Sequence, residues 1–128
     1  MFPLMINVDA NTGQAASATL APAVPLIAGV DVEGIAYDAM SSTIFVSDES
    51  GPAIREHNLD GSLVQTAVLP PVFATHRSNL SLESLSRQAG GSLWTANEEA
   101  LTGDGPVSSF SAGTVVRLAQ LPIGLVTL

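Results

Sequence analysis

The chain contains no cysteine and no lysine, and these absences exclude several classes of function. Without cysteine there is no thiol nucleophile, no disulfide and no thiolate zinc site, while the redox compartment stays open. Four arginines and two histidines are the only basic side chains. A surface that binds a phosphate backbone is hard to build from so few cations, so we expect no nucleic-acid partner.

Long apolar runs are also missing. The longest, from Ala18 to Val30, is interrupted by Pro22 and Pro25 and is too short to cross a bilayer. The first residues show no basic region followed by an apolar one, so no signal peptide is recognisable. We therefore expect no membrane span.

The chain is rich in apolar residues and acidic in charge. Of its 128 residues, 46% are hydrophobic and 12% are charged, and the formal net charge is −8. This composition predicts one packed domain rather than a disordered chain. An acidic surface suits divalent cations or cationic ligands, although many proteins are acidic only for solubility.

Short runs of Val, Ile, Phe and Tyr predict four antiparallel strands, at residues 32–38, 43–49, 53–59 and 62–69. The turn dipeptide Asp60-Gly61 separates the last two, and Pro70-Pro71 ends the fourth. A four-stranded meander of about forty residues has the size of one β-propeller blade. The predicted fold class is therefore all-β, built from antiparallel four-stranded meanders.

A second copy of this design begins fifty residues later, where 82–86 and 92–99 repeat 32–36 and 42–49. Its third strand has two alignments. Letter identity matches Gly113 to Gly61, whereas strand order matches Arg117 to Arg55 and treats 100–112 as an expanded loop. Strand order is preferred because it keeps the blade intact, and 126–128 then begin a fourth strand.

The chain thus supplies about two blades, whereas a propeller closes with roughly four to eight. We expect a partial β-propeller whose partners are the remaining blades of a parent chain. Residues 32–128 form the incomplete blades in this prediction, and residues 1–31 form an irregular segment with one strand near Leu26 and Ile27. Within that segment, Asp9, Asn11 and Gly13 indicate a turn rather than a calcium loop, because the later acidic ligands are absent.

Acidic residues gather at the open end of each hairpin. If the hairpins turn about 39–42 and 89–92, Glu33 faces Asp48 and Glu83 faces Glu98. Like charges directly opposite each other destabilise a sheet, so a cation, a raised pKa, an arginine or exposure to water is expected to compensate. Carboxylates gathered in this way suit calcium or magnesium, and the alternative is a set of solvated or structural acids. The predicted metal ligands are Glu33, Asp48, Glu49, Glu83 and Glu98.

Two residues ahead of the second unit are candidates for substrate contact. Asn79 offers an amide oxygen or a hydrogen bond, and Arg77 either holds an anionic group or pairs with Glu83. No catalytic residue is assigned. The chain has no Gly-x-Ser-x-Gly elbow, and its histidines lack the spacing of metal ligands.

The runs 32–38, 44–49, 77–83 and 93–98 resemble the phytase-like domain family, described by an esterase-like activity of phytase. The resemblance covers roughly residues 30–121. It implies a propeller exported to the periplasm or the cell exterior, with calcium-dependent phosphoester hydrolysis as its activity. Where that family has Asn-x-Gly-x-Glu-Gly, this chain keeps Asn79 and Glu83 but has serine at 81 and 84.

A second resemblance, to the gluconolactonase and strictosidine-synthase-like propellers, rests on the pair Glu33 and Gly34. It implies that Glu33 is a divalent-metal ligand in the hydrolysis of a lactone or ester. The third alternative is a non-enzymatic repeat scaffold that binds a ligand or a protein. Calcium-dependent phosphate release favours the first reading, lactone turnover the second, and neither activity the third.

Overall fold

A computed structural model describes residues 1–27 and 29–123 of the chain. Apart from one 3-10 helix at Pro71–Thr75, the regular elements of these residues are strands in antiparallel sheets of two, four and three strands. The strands are β1 (Leu4–Val8), β2 (Ala15–Leu20), β3 (Val32–Asp38), β4 (Thr43–Asp48), β5 (Ala53–Asn58), β6 (Leu63–Ala67), β7 (Ser86–Gln88), β8 (Ser92–Ala96) and β9 (Leu118–Pro122).

The predicted all-β class is confirmed, and the three sheets do not close a ring, as expected of a partial propeller. In the part of the chain that the structure describes, no helix has the length and apolar character that crossing a bilayer requires.

The first blade is the sheet β3-β4-β5-β6, whose strands end within two residues of their predicted bounds. Tight turns connect them, with Ser42 and Gly61 in the left-handed region at φ 57° and 89°. The register of β3 against β4 differs from the prediction at one place. A β-bulge makes Val32 the partner of Asp48, so the predicted pairing of Glu33 with Asp48 is wrong. The extra residue of the bulge is Glu33, which has no partner in the ladder.

The N-terminal segment is more regular than predicted, because β1 and β2 form a hairpin. Its turn is the predicted one: the Asp9 carboxylate accepts the backbone N–H of Asn11 at 2.8 Å, and Gly13 has φ 70°. The predicted strand at Leu26 and Ile27 is wrong, since these residues lie outside the strands in a stretch that also holds two prolines. The domain boundary at residue 31 stays a prediction.

The second blade is the sheet β7-β8-β9. Because β9 pairs with β8 as the third strand, the alignment by strand order is the correct one. Its register is one residue further along than predicted: Trp94 pairs with Gln120, while its counterpart Ile44 pairs with His57. The strand begins at Leu118. The predicted fourth strand, 126–128, lies outside the described residues.

The two blades share one hydrophobic core. Its fully or nearly fully buried side chains come from both sheets, from the 3-10 helix and from the segment before β7: Ala36, Phe45, Ile54, Phe73, Leu82, Leu93, Ala119 and Leu121. Gly34 sits at a close contact between the blades, because a Cβ built there would lie 2.6 Å from the backbone nitrogen of Leu85. An ion pair at 2.7 Å between Asp38 and Arg87 joins the same two sheets at the opposite end of β3.

Candidate functional site

Five carboxylates from the two blades lie close together, and we call them the acidic rim: Asp31, Glu33, Glu49, Glu83 and Glu98. They form two groups that share Glu49. One oxygen from each of Asp31, Glu33 and Glu49 lies within 4.8 Å of the others, and the same holds for Glu49, Glu83 and Glu98. Four of the five were predicted from the sequence, and Asp31 was missed.

The backbone of the first blade places the Asp31, Glu33 and Glu49 group. The bulge at the start of β3 leaves Glu33 without a partner in the ladder, and bulges near functional sites commonly redirect a side chain. Directly beside it, the N–H of Glu49 donates to the carbonyl of Asp31 at 2.8 Å, which fixes these two residues side by side.

Glu49 is buried, with 3% of its surface exposed, and it connects the blades. Its Oε1 accepts the backbone N–H of Ser81 at 3.0 Å. The carbonyl of Ser81 in turn accepts the N–H of Glu98 at 2.7 Å. The loop that enters the second blade is therefore held against Glu49, the first residue after β4, and it brings Glu98 to the same place.

Glu83 and Glu98 are diagonal neighbours and do not face each other directly as predicted. Leu82 is bridged to Asn97, and the N–H of Glu83 donates to the carbonyl of Ala96 at 3.1 Å. At this end of the hairpin the observed register differs from the predicted one by two residues. The side chains still meet, because diagonal neighbours across an antiparallel pair point to the same face.

Asp48 lies outside both acidic groups. It is 2% exposed and forms an ion pair with Arg55. Its Oδ1 accepts the N–H of Asp31 at 3.1 Å and the hydroxyl of Ser50 at 2.7 Å. Burial opposes its ionisation, but the hydrogen bonds from Ser50, Arg55 and Asp31 outweigh it and hold the pKa of Asp48 below its usual value. Asp48 therefore orders the backbone that carries Asp31 and Glu49.

The rim is electrostatically strained at Glu83. Desolvation raises the pKa of Glu83 above its usual value, and the neighbouring carboxylates of Glu98, Glu33, Glu49 and Asp31 raise it further. Among residues 1–27 and 29–123, which include every arginine and histidine, the ion pairs are Arg55 with Asp48, Arg87 with Asp38 and Arg117 with Asp104. None of these cations compensates the rim.

A family model for the phytase-like family, described as esterase-like activity of phytase, matches residues 7–124. The chain belongs to the phytase-like family. The match confirms the resemblance seen in the sequence and extends it to the N-terminal hairpin. No curated protein and no solved structure matches this phytase-like chain significantly.

The donor set of this phytase-like rim fits a hard divalent cation. All five side chains offer carboxylate oxygens, which are the ligands that calcium and magnesium prefer. Ser81, held between Glu49 and Glu98 by its backbone, is fully buried, and its hydroxyl has no hydrogen-bond partner among the described residues. A carboxylate cluster without a cationic partner is what a bound cation would stabilise.

The two predicted substrate contacts have different surroundings. Arg77 donates from Nε to the carbonyl of Ala100 at 2.9 Å and from Nη2 to that of Gly105 at 2.8 Å. It therefore anchors the loop that follows the rim, and it forms no ion pair with Glu83. Asn79 is exposed and has φ 56°, a left-handed conformation that asparagine tolerates better than most residues. Its side chain is accessible at the entrance to the second blade.

Proposed function

We propose that the acidic rim binds a divalent cation, with calcium as the first candidate. In this proposal the chain contributes the site to a phytase-like hydrolase of phosphoesters. The observation that carries the proposal is the gathering of four carboxylates around the shared, buried Glu49, with no cation paired to any of the five in the described residues. Family membership supplies the reaction class, because the matching model is named for an esterase-like activity of phytase.

The residues of the rim have distinct parts in this proposal. Glu49 fixes the geometry, since its burial and its bond to Ser81 allow it little movement. Glu33, Glu83 and Glu98 are exposed and are available to a ligand from solvent. A bound divalent cation would supply activation of water and neutralise negative charge on substrate oxygens. A carboxylate not engaged with the cation would accept the proton that the attacking water loses.

The small number of free cationic side chains limits the negative charge of a substrate that this chain can bind. Three of the four arginines form ion pairs, and Arg77 is engaged with two carbonyls. With no lysine in the chain, a highly charged substrate such as phytate would meet no cluster of free cations on it. The proposal is therefore for a small phosphomonoester, held by the cation and by Asn79.

The gluconolactonase-like reading is kept as the second candidate, because one observation favours it. An apolar cleft is bordered by Glu33, the residue that this reading makes a metal ligand for ester or lactone hydrolysis. The remaining blades of a parent chain and a location outside the cytoplasm are also parts of the proposal. Both are supported by membership of the phytase-like family and by a sheet arrangement that leaves a propeller open.

Thermal unfolding with and without calcium tests the cation site. At a calcium concentration one hundred times Kd, binding to the folded state adds about 2.7 kcal/mol to the free energy of unfolding. We expect the melting temperature to rise in calcium relative to chelator for the wild type. We expect no rise for the double variant Glu33→Gln, Glu83→Gln.

The matched control is Asp9→Asn, Asp60→Asn, which removes two negative charges at turns outside both acidic groups and should keep the response to calcium. If calcium does not change the melting temperature of the wild type, the cation site is contradicted. The non-enzymatic scaffold is then the favoured function. If calcium stabilises the chain, release of phosphate from 4-nitrophenyl phosphate and opening of a lactone then separate the two hydrolase candidates.

A further inference from the structure

A cleft of about 480 Å³ lies between the hairpin turns of the two blades, at the opposite end of β3 from the acidic rim. Its lining comes from the end of β3 and the turn after it, from β7 and the turn after it, and from the residue that follows β9: Asp38, Met40, Ser41, Arg87, Gly90, Gly91 and Ile123. The volume is within the range of small-molecule sites. Because the cleft shares no residue with the rim, it is a separate site.

The two charged groups of the cleft are paired with each other, and part of each stays free. Oδ1 of Asp38 lies 2.7 Å from Nη2 of Arg87 and also accepts the N–H of Met40 at 2.9 Å. Oδ2 takes part in neither contact. Arg87 has five N–H donors, and its buried Nε finds no hydrogen-bond partner in residues 1–27 and 29–123. The pair therefore keeps a carboxylate oxygen and guanidinium donors for a ligand.

Ser41 adds a hydrogen-bond acceptor to the cleft. The Thr43 hydroxyl donates its proton to Oε1 of the buried Glu56 at 2.6 Å. The hydroxyl of Ser41 lies 2.6 Å from that of Thr43. Since a hydroxyl has one proton, Thr43 can only accept from Ser41, and the Ser41 proton points inward. The Ser41 oxygen is left with lone pairs that accept a donor from a ligand.

Two apolar side chains form the rest of the wall. The N–H of Ile123 donates to the carbonyl of Gly91 at 2.8 Å, which holds Ile123 against the turn of the second blade. Met40 is 88% exposed, and its unbranched thioether can adapt to the shape of a neighbour. An aliphatic group in the cleft would remove this apolar surface from water.

Charge selects the ligand. One carboxylate and one guanidinium line the cleft, so a ligand with a single charge would compete with the existing pair, whereas a ligand with both signs offers each group a partner. Because Asp38 and Arg87 touch, the two charges of the ligand have to be close together as well. We infer that the cleft binds a small α-amino acid with an aliphatic side chain. Its ammonium lies at Asp38 and Ser41, and its carboxylate lies at the planar guanidinium of Arg87.

Isothermal titration calorimetry in chelator tests this inference separately from the proposed cation site. The probes are alanine, valine and leucine. We expect the affinity to rise about fourfold for each methyl or methylene group that the cleft buries. Leucinamide lacks the carboxylate and 4-methylpentanoate lacks the ammonium, so each should bind at least about tenfold more weakly than leucine. A folded chain that binds no leucine, or binds either analogue as tightly, would overturn the inference.

Arg87→Lys and Arg117→Lys form a matched pair. Both arginines are ion-paired, Arg87 with Asp38 and Arg117 with Asp104, and only Arg87 lines the cleft. Lysine keeps the charge opposite Asp38 but lacks the planar fork that matches a carboxylate. Arg87→Lys should weaken leucine binding at least about tenfold. Arg117→Lys should leave it unchanged, and equal effects of the two variants would contradict the proposed carboxylate contact.

Met40→Gln and Met5→Gln test the apolar wall without touching the ion pair. Both methionines are exposed, at 88% and 64%, so neither substitution is expected to unfold the chain. Only Met40 lines the cleft. Met40→Gln should reduce the preference for leucine over alanine about fourfold while alanine binding changes little, and Met5→Gln should keep the preference. A preference that survives in Met40→Gln would overturn the proposed position of the aliphatic side chain.

Discussion

The fold disfavours ionisation of Glu83 in the acidic rim, and the stability of the fold therefore depends on pH through this residue. A carboxyl with a raised pKa in the folded state binds its proton more tightly there than in the unfolded chain. Its ionisation therefore destabilises the fold at pH values above the raised pKa. The destabilisation disappears as the pH falls through that pKa toward the unfolded value.

We accordingly expect Glu83→Gln to melt at a higher temperature than the wild type at neutral pH in chelator. The difference should shrink on acidification from about pH 8 to about pH 4. Glu99→Gln is a control of opposite sign. Hydrogen bonds from the hydroxyl and N–H of Ser108 lower the pKa of Glu99, so this carboxylate stabilises the fold above its unfolded pKa and loses that effect in acid. A pH-independent effect of Glu83→Gln would contradict the electrostatic description of the rim.

The acidic residues of the rim were largely predictable, and their partners were not. Glu33, Glu83 and Glu98 follow from the repeat and from strand alternation. Asp31 was missed because it precedes the strand, where a period-two pattern carries no information. Asp48 was assigned to the wrong partner because the pairing assumed an unbroken ladder, whereas a bulge at Glu33 shifts the register. An inserted residue of this kind is set by the neighbouring chain and leaves no mark in hydrophobic alternation.

At the scale of the element, the close approach of β3 to the second blade depends on Gly34. A Cβ at this position would lie 2.6 Å from the Leu85 backbone nitrogen and 2.8 Å from the Ser47 hydroxyl. The backbone contact cannot be relieved by rotating a side chain. We expect Gly34→Ala to lower the free energy of unfolding by about 1–3 kcal/mol.

Chemical denaturation measures this change, and Gly51→Ala is its control. Gly51 lies between β4 and β5, has nothing within 4 Å of a built Cβ and has no positive φ. Its substitution should alter the free energy of unfolding by less than about 0.5 kcal/mol. Equal effects at both positions would contradict the close packing of the blades at Gly34.

The elements themselves differ in how visible they are in the sequence. The first blade was predicted almost completely, because β-branched and aromatic runs alternate with turn residues such as Asp60 and Gly61. The N-terminal hairpin was missed, since half of Ala15–Leu20 is alanine and the segment lacks that pattern. Only its turn at Asp9 was recognisable, because an Asx turn is specified locally.

At the scale of the whole molecule, much apolar surface remains uncovered. One face of the N-terminal hairpin carries Leu4, Ile6, Val8 and Leu20, each more than half exposed. A two-stranded sheet is marginal by itself, so this face is suited to packing against another sheet. We expect the isolated chain to associate as its concentration rises, which sedimentation velocity can measure.

The double variant Ile6→Asn, Leu20→Asn should reduce this association, because it places polar side chains on the apolar face. Met5→Asn is the control, since Met5 is 64% exposed and points to the opposite face, across from Thr19. Association that persists in the double variant would show that another surface mediates it.

Because Glu49 belongs to both acidic groups, the rim cannot act as two separate sites. Two cations would have to share a single carboxylate, one oxygen of which already accepts the Ser81 N–H. Occupancy of either group then changes the affinity of the other, and the linkage is reciprocal. A calorimetric titration should therefore follow a stepwise or cooperative isotherm, and a fit to two identical independent sites should fail.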